Sequence, residues 1–278
     1  MSDTPDTSHY AHGHHSSVLA SHALRGIKDS APHLAPLLRP SMNILDLGSG
    51  PGSITLELAK AVGPDGHVTG LDFSAEAVRT ASAAAEERGT SNVDFRIADL
   101  YSLRPGGDGL QSGYDVVHAH QVLQHLPDPV QAIRVAASLV SPGGILSLRE
   151  VDYSATTWSP PSIGLDTWLR VLRGYMSLEG HDADAGGKMA TWLDEAGIPA
   201  SAVRLTQREQ TYTTPEARKA WGESWVQRAL HSAFRDLSIK HGLLDQAGVG
   251  AVAQAWQDFA DAPSGNFTFR HTEALVRF

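Results

Sequence analysis

The alternation of apolar and polar positions changes character three times along the chain. Residues 1–17 are polar and rich in histidine, without a periodic apolar face. Val18 to Leu38 spaces its apolar residues as a helix does, and Pro40 closes the segment. From Asn43, short apolar runs alternate with amphipathic stretches. Ile44–Leu47 reads as a strand, followed by a glycine-rich turn and a helix carrying Ile54, Leu56, Leu58, Ala59 and Val62, which Gly63-Pro64 stops. His67–Leu71 is a second strand, after which Ser74 caps a helix with Val78, Ala81 and Ala85 on one face. Val93–Ile97 and Tyr114–His118 are the third and fourth strands. Asp128 and Pro129 open a further helix with Val130, Ile133, Ala137 and Val140 inward, and Pro142-Gly143-Gly144 turns into a fifth strand, Ile145–Val151.

After Val151 the rhythm breaks. Leu165, Trp168, Leu169, Leu172 and Met176 share one helical face; Met189, Trp192 and Leu193 share another. A strand over Val203–Tyr212, mostly helix from Pro215 to about Ala260 and a final strand from Phe267 complete the pattern. Strand–helix alternation predicts parallel pairing with helices on both sheet faces. The expected fold is α/β: a doubly wound, mostly parallel, seven-stranded Rossmann-like sheet with a helical lid inserted before the last strand. Three regions follow: an N-terminal cap segment and helix (1–40), a ligand-binding core (41–152), and the rest of the sheet with its helical lid (153–278).

Composition narrows the class. Apolar residues at 41% and charged residues at 19% are globular values, and the net charge of −9 disfavours a nucleic-acid partner, whose phosphates call for lysine and arginine. The absence of cysteine removes disulfides, thiolate nucleophiles and Cys-ligated zinc. No apolar run approaches the roughly 20 residues that span a bilayer, and the N-terminus has neither basic nor apolar signal regions, so a cytoplasmic location without a membrane partner is expected. Oligomeric state is open, a homodimer included.

The chemistry concentrates in Asp46-Leu47-Gly48-Ser49-Gly50-Pro51-Gly52. Its glycines let the chain turn sharply after the first strand and let a ligand approach the backbone. A dinucleotide fingerprint wants G-x-G-x-x-G, but Ser53 stands where its third glycine belongs, which disfavours a nicotinamide oxidoreductase. The segment resembles motif I of the class I S-adenosylmethionine-dependent methyltransferases. The resemblance implies that Gly48, Ser49, Gly50 and Gly52 wrap the amino-acid end of S-adenosylmethionine while Asp46 positions its ammonium group. Asp72, at the end of the second strand and followed by Phe73, can accept both ribose hydroxyls. Asp99 and the backbone of Leu100 correspond to the family's adenine contacts. Ser141-Pro142-Gly143-Gly144 matches its turn before the fifth strand.

His118-Ala119-His120-Gln121 falls where the family lines the methionine portion and the acceptor, which makes His118 and Gln121 cofactor-side candidates. The stretch Val122–Asp128 is similar to ubiquinone- and menaquinone-biosynthesis methyltransferases. A sulfonium is already a strong electrophile, so alignment and water exclusion dominate, and one base suffices for an O- or N-acceptor. His120 and Glu150, at the carboxyl ends of the fourth and fifth strands, are the expected catalytic pair. No metal is required. Tyr10 with His14 or His15 either folds over the cofactor or belongs to a solvated tail; a metal site at His9, His12, His14 and His15 lacks fixed geometry. The expected activity is methyl transfer to a small organic acceptor at O, N or C, such as a secondary metabolite or a quinone- or isoprenoid-like compound. Methylation of RNA or protein is the alternative within enzymes, and a non-catalytic S-adenosylmethionine-binding protein the alternative outside them.

Overall fold

The computed structural model describes residues 26–278. The expectations for Tyr10 and for His9, His12, His14 and His15 lie outside the described residues. Within them, the helix expected up to Leu38 is reduced to one turn, α1 (Ile27–Ser30), and a 3-10 turn at Ala35–Leu37. Pro32 and Pro36 explain this, since proline offers no backbone donor and its ring clashes with the preceding turn.

From there the alternation is realised closely. β1 (Asn43–Leu47) leads to α2 (Ser53–Val62), which ends at Gly63 in a left-handed φ of 71°. β2 (His67–Asp72) leads to α3 (Ala75–Glu87), whose Ala77 N–H donates to the Ser74 side chain. β3 (Val93–Ile97) and β4 (Tyr114–His120) follow, then α4 (Pro129–Ser138), capped by Asp128 through the Gln131 N–H. β5 runs from Val140 to Ser159, well past the short strand expected. After α5 (Ile163–Leu178) and α6 (Ala185–Glu195) come β6 (Val203–Tyr212) and, at the end, β7 (Asn266–Arg277). The mostly helical stretch expected between them is divided into three helices: α7 (Pro215–His231), α8 (Ala233–Lys240) and α9 (Gln246–Asp261). Ser232 restarts the helix by accepting from the Phe234 N–H, and Gly242, at φ 65°, ends α8.

The strands form one sheet in the order β3-β2-β1-β4-β5-β7-β6. β1 pairs in parallel with β2 and β4, β2 with β3, and β4 with β5. β7 runs the other way. Gly143 N–H donates to Phe278 O and Phe278 N–H to Gly144 O, so the start of β5 meets the end of β7. Against β6, Thr206 meets Glu273 and Thr211 meets Thr268, again antiparallel. The sheet is therefore mixed, which corrects the mostly parallel expectation. The β6–β7 connection joins neighbouring strand ends as a hairpin does, with helices inserted, and needs no crossover.

Two compact units divide the described chain. One holds 26–152, Ala185–Arg208 and Arg270–Phe278; the other holds Tyr153–Asp184 and Glu209–Phe269. The first is built on strand alternation. Leu45, Leu47, Val117, Leu146 and Leu148 face one way, onto Ile133, Ala136 and Met189. Ile44, Val116 and Ile145 face the other way, onto Leu34, Leu58 and Val62. The second unit is held by aromatic packing: Trp168 meets Trp225 and Trp256 edge-on at 4.8 and 5.0 Å, and those two stack at 5.5 Å. No described helix is long and apolar enough to cross a membrane.

Candidate active site

The site is assembled at the carboxyl ends of β1 to β4 and along the middle of β5, all within the first unit. β1 delivers Asp46 to the interior, 3% exposed, where the Thr55 hydroxyl of α2 donates to its Oδ2 at 2.6 Å. Burial pushes the Asp46 carboxyl up to about 7, the Thr55 bond opposes this, and the negative charge of Asp72 adds to it. The loop that follows is held to β2 by the Ser49 N–H on Leu71 O at 2.9 Å. Two of its glycines are obligatory. At Gly48 (φ 67°) a Cβ would stand 2.5 Å from Val122 Cγ2; at Gly52 (φ 82°) it would stand 2.8 Å from Phe95 Cζ and 2.9 Å from Ala81 Cβ. Gly50 differs: the direction of its missing Cβ is open to 4 Å. Ser49 Oγ, buried beside it, has no hydrogen-bond partner among the described residues.

Asp72 ends β2 with both oxygens oriented by backbone, Oδ2 accepting from the Gly50 N–H and Oδ1 from the Ser74 N–H, each at 2.8 Å. A carboxylate has about four acceptor positions, so two stay open for hydroxyl donors. Asp99 follows β3 and accepts from the Tyr101 N–H at 3.0 Å, which fixes the turn containing Leu100. Phe73 and Ile97 flank these acids with 57% and 60% of their surface exposed, unusual for large apolar side chains at strand ends. An open glycine loop, an orphaned hydroxyl, three acids and two exposed apolar side chains fit an adenosyl cofactor with a charged amino-acid tail.

The end of β4 and the adjoining middle of β5 are different in kind. Register places His118 beside Asp46 and Ser147, and His120 beside Arg149. These side chains share one face and form a buried polar layer. His118 Nδ1 lies 3.2 Å from Ser147 Oγ, which lies 2.9 Å from His33 Nε2. Burial drives His118 down to about 4 and His33 to about 3; Arg149 reinforces both, and His118 itself adds to the shift of His33. Arg149, 2% exposed, donates from Nε to Glu273 Oε1 at 3.3 Å and from Nη1 to His120 Nε2 at 3.0 Å. Arg208 donates to the same Glu273 oxygen at 3.2 Å, and Thr206 to the other. Gln121 turns the chain with a φ of 55°, donates its N–H to Arg149 O at 2.8 Å, and reaches His271 Nε2 at 3.3 Å.

The structure brings Asp46, Gly48, Ser49, Gly50, Gly52 and Asp72 into one cradle, with Phe73, Asp99 and Leu100 on its rim. His118 lies beneath, fully buried. His120 and Glu150 are not brought together, because Glu150 follows Arg149 on β5 and points to the opposite sheet face, wholly buried. Thr55, Ile97, Val122, Arg149, His271 and Glu273 are site residues that the sequence pattern did not single out. Thr55 carried a usable signal, a hydroxyl one turn into the helix that opens after the glycine loop. His271 and Glu273 carried none, being brought in by the insertion of β7.

Acids closing three successive parallel strands around an open glycine loop match the pattern that the motif's resemblance to class I methyltransferases implies. Comparison with known proteins agrees: a methyltransferase-domain family model matches residues 38–197. An uncharacterized methyltransferase of Schizosaccharomyces pombe is 30% identical over 96% of this chain and 95% of its own. A ubiquinone biosynthesis O-methyltransferase of Erwinia tasmaniensis is 29% identical over 56% of this chain and 60% of its own. Among solved structures, the YcgJ protein of Bacillus subtilis superposes with a TM-score of 0.53 at 16% identity, covering 92% of this chain and 98% of that one. The chain belongs to this methyltransferase family. It is an S-adenosylmethionine-dependent methyltransferase.

Proposed function

We propose that the protein methylates a small organic acceptor at O, N or C. The observation that carries this reading is the intact cradle: Asp72, pre-oriented by two backbone donors, stands beside a loop whose Gly50 opens outward. In this reading the open acceptor positions of Asp72 take the ribose hydroxyls, Asp46 faces the ammonium end, and Asp99 with the Leu100 backbone reads the adenine. Phe73 and Ile97 cover the base. The bound cofactor supplies the electrophilic methyl; the chain's own residues align the acceptor with it and keep water out.

On the acceptor side, His120 is assigned an orienting role. An arginine guanidinium only donates, so His120 Nε2 must hold the lone pair that meets Arg149 Nη1, and a neutral ring then carries its proton on Nδ1. That bond fixes the orientation of the ring at the end of β4. The similarity to a ubiquinone biosynthesis O-methyltransferase and the acidic net charge favour a small molecule over RNA.

The test is incubation of the full chain with methyl-labelled S-adenosylmethionine and three acceptor pools: small-molecule extract, RNA and protein. Label in the small-molecule fraction supports the reading. Label confined to RNA or protein, or tight cofactor binding with no transfer to any pool, overturns it. Asp72→Ala is expected to weaken S-adenosylhomocysteine binding about 100-fold in calorimetry, the loss of two charge-assisted hydrogen bonds at ~1.5 kcal/mol each.

A further inference from the structure

Glu150 is a buried acid that the transfer chemistry does not reach. It shares strand parity with Leu146 and Leu148, which pack in the core on the face away from His120 and Arg149. Its Oε1 accepts two backbone N–H groups, from Val122 at 2.8 Å and from Leu123 at 2.7 Å. These stand at the start of the 3-10 turn Leu123–His125, where backbone donors have no partner within the turn. Oε2 has no hydrogen-bond partner among the described residues. Burial pushes the carboxyl up to about 8, against the pull of those amides, so near neutrality the group holds the loop mainly as a neutral acid through its carbonyl oxygen.

The loop it holds needs holding. Gln121 adopts a left-handed φ of 55°, a conformation that costs a residue with a side chain on the order of 1 kcal/mol and persists only where its surroundings enforce it. Consecutive residues of β5 grip consecutive residues of the loop: Arg149 O takes the Gln121 N–H, and Glu150 Oε1 takes the next two. The middle residue, Val122, lies directly over Gly48 of the cofactor loop, close enough that no Cβ fits between them. Leu123, 2% exposed, belongs to the same apolar cluster as Leu47 and Leu71, the residues that precede the Asp72 and glycine-loop corners.

We propose that Glu150 is a positioning residue that ties the acceptor-side loop after β4 to the cofactor loop, acting through Val122 on Gly48. The inference rests on the cofactor cradle and is independent of the acceptor's identity. Its role is mechanical: it passes no proton to the acceptor, and an amide carbonyl in the same place does the same work.

S-adenosylhomocysteine affinity of the full chain, measured by calorimetry, tests this with Glu150→Gln, Glu150→Leu, Val122→Ala and the Glu150→Leu/Val122→Ala double variant. Glu150→Gln is expected to bind within about three-fold of the unsubstituted protein, and Glu150→Leu to lose more than ten-fold. Val122→Ala loses about three- to five-fold, and the double variant binds no more weakly than Glu150→Leu, because both changes cut the same link. Additive losses, or a Glu150→Leu protein that binds normally, overturn the proposal. So does a Glu150→Gln protein as impaired as Glu150→Leu. Should Glu150→Leu fail to fold, Glu150→Asp, one methylene too short to reach both amides, replaces it in the cycle: a loss shared with Val122→Ala supports the link, and an additive one overturns it. Failure of the unsubstituted chain to bind would instead strike the cradle itself.

Discussion

Two regions of the candidate site, the proposed cofactor cradle on β1 to β3 and the proposed acceptor surface on β4 and β5, lie on adjacent strands and are built on different plans. In the cradle, Asp72 is oriented by the backbone N–H groups of Gly50 and Ser74, Asp99 by that of Tyr101, and Asp46 by the Thr55 hydroxyl nine residues on. The loop that closes the cradle is shaped by glycine stereochemistry. At the acceptor end, orientation comes from other side chains far away in sequence. Arg149 leans on Glu273 at a separation of 124 residues, Ser147 on His33 at 114, and Gln121 on His271 at 150. The cradle is set mainly by residues on the loops and turns that carry it, whereas the polar layer on β4 and β5 is a network whose members depend on sheet register. The contrast predicts that damage at the acceptor end registers first as lost stability, and damage at the cofactor end first as lost affinity.

The largest expected effect tests the network. Glu273 is 2% exposed and answers two guanidiniums, one of them buried. Removing one member of a buried ion pair strands the other, which typically costs about 3–5 kcal/mol. Glu273→Ala should lose that much in urea denaturation. A loss below about 1 kcal/mol would mean that the polar layer is not interlocked, and the comparison would fail on that side.

Next comes a change in affinity without an equivalent change in fold. Asp46 titrates near 7 in the free protein because it is buried. Its folded value lies above its unfolded value near 3.8, so its contribution to stability is fully present below about 4 and is lost as pH rises from there to about 7, at up to roughly 1.4 kcal/mol per unit. A cationic amino group placed against it favours the ionised form, so binding expels a proton below pH 7. S-adenosylhomocysteine affinity should therefore rise up to about ten-fold per pH unit below about 7 and level off above it. Asp46→Asn should flatten the curve. An unchanged pH dependence in that variant would detach Asp46 from the ammonium end.

The same contrast explains what was legible in the sequence. The strands from Ile44 to Val151, the caps at Ser74 and Asp128, and the glycine turn after β1 were readable because each is specified by residues within a few positions of one another. The direction of β7 was not, since apolar alternation is the same read either way, and with it went His271 and Glu273. The break of the early helix was legible in Pro32 and Pro36, which the apolar spacing outweighed. Glu150 is the instructive case. An acid at a strand end invites a proton-transfer role, yet its parity with Leu146 and Leu148 already places it on the packed face.

The smallest expected effect separates the two plans most cleanly. Ser74 touches the cradle twice: its backbone N–H donates to Asp72 Oδ1, and its hydroxyl accepts from the Ala77 N–H to cap α3. Only the second of these belongs to the side chain. Ser74→Ala keeps the donor that orients Asp72 and loses the cap, which costs about 1 kcal/mol of stability. Thermal unfolding should register that loss while S-adenosylhomocysteine affinity stays within about two-fold. If affinity instead falls in step with stability, the helix start rather than the backbone donor governs Asp72. The cofactor end would then be as dependent on its surroundings as the acceptor end, and the distinction between a local device and a distributed network would not hold for this site.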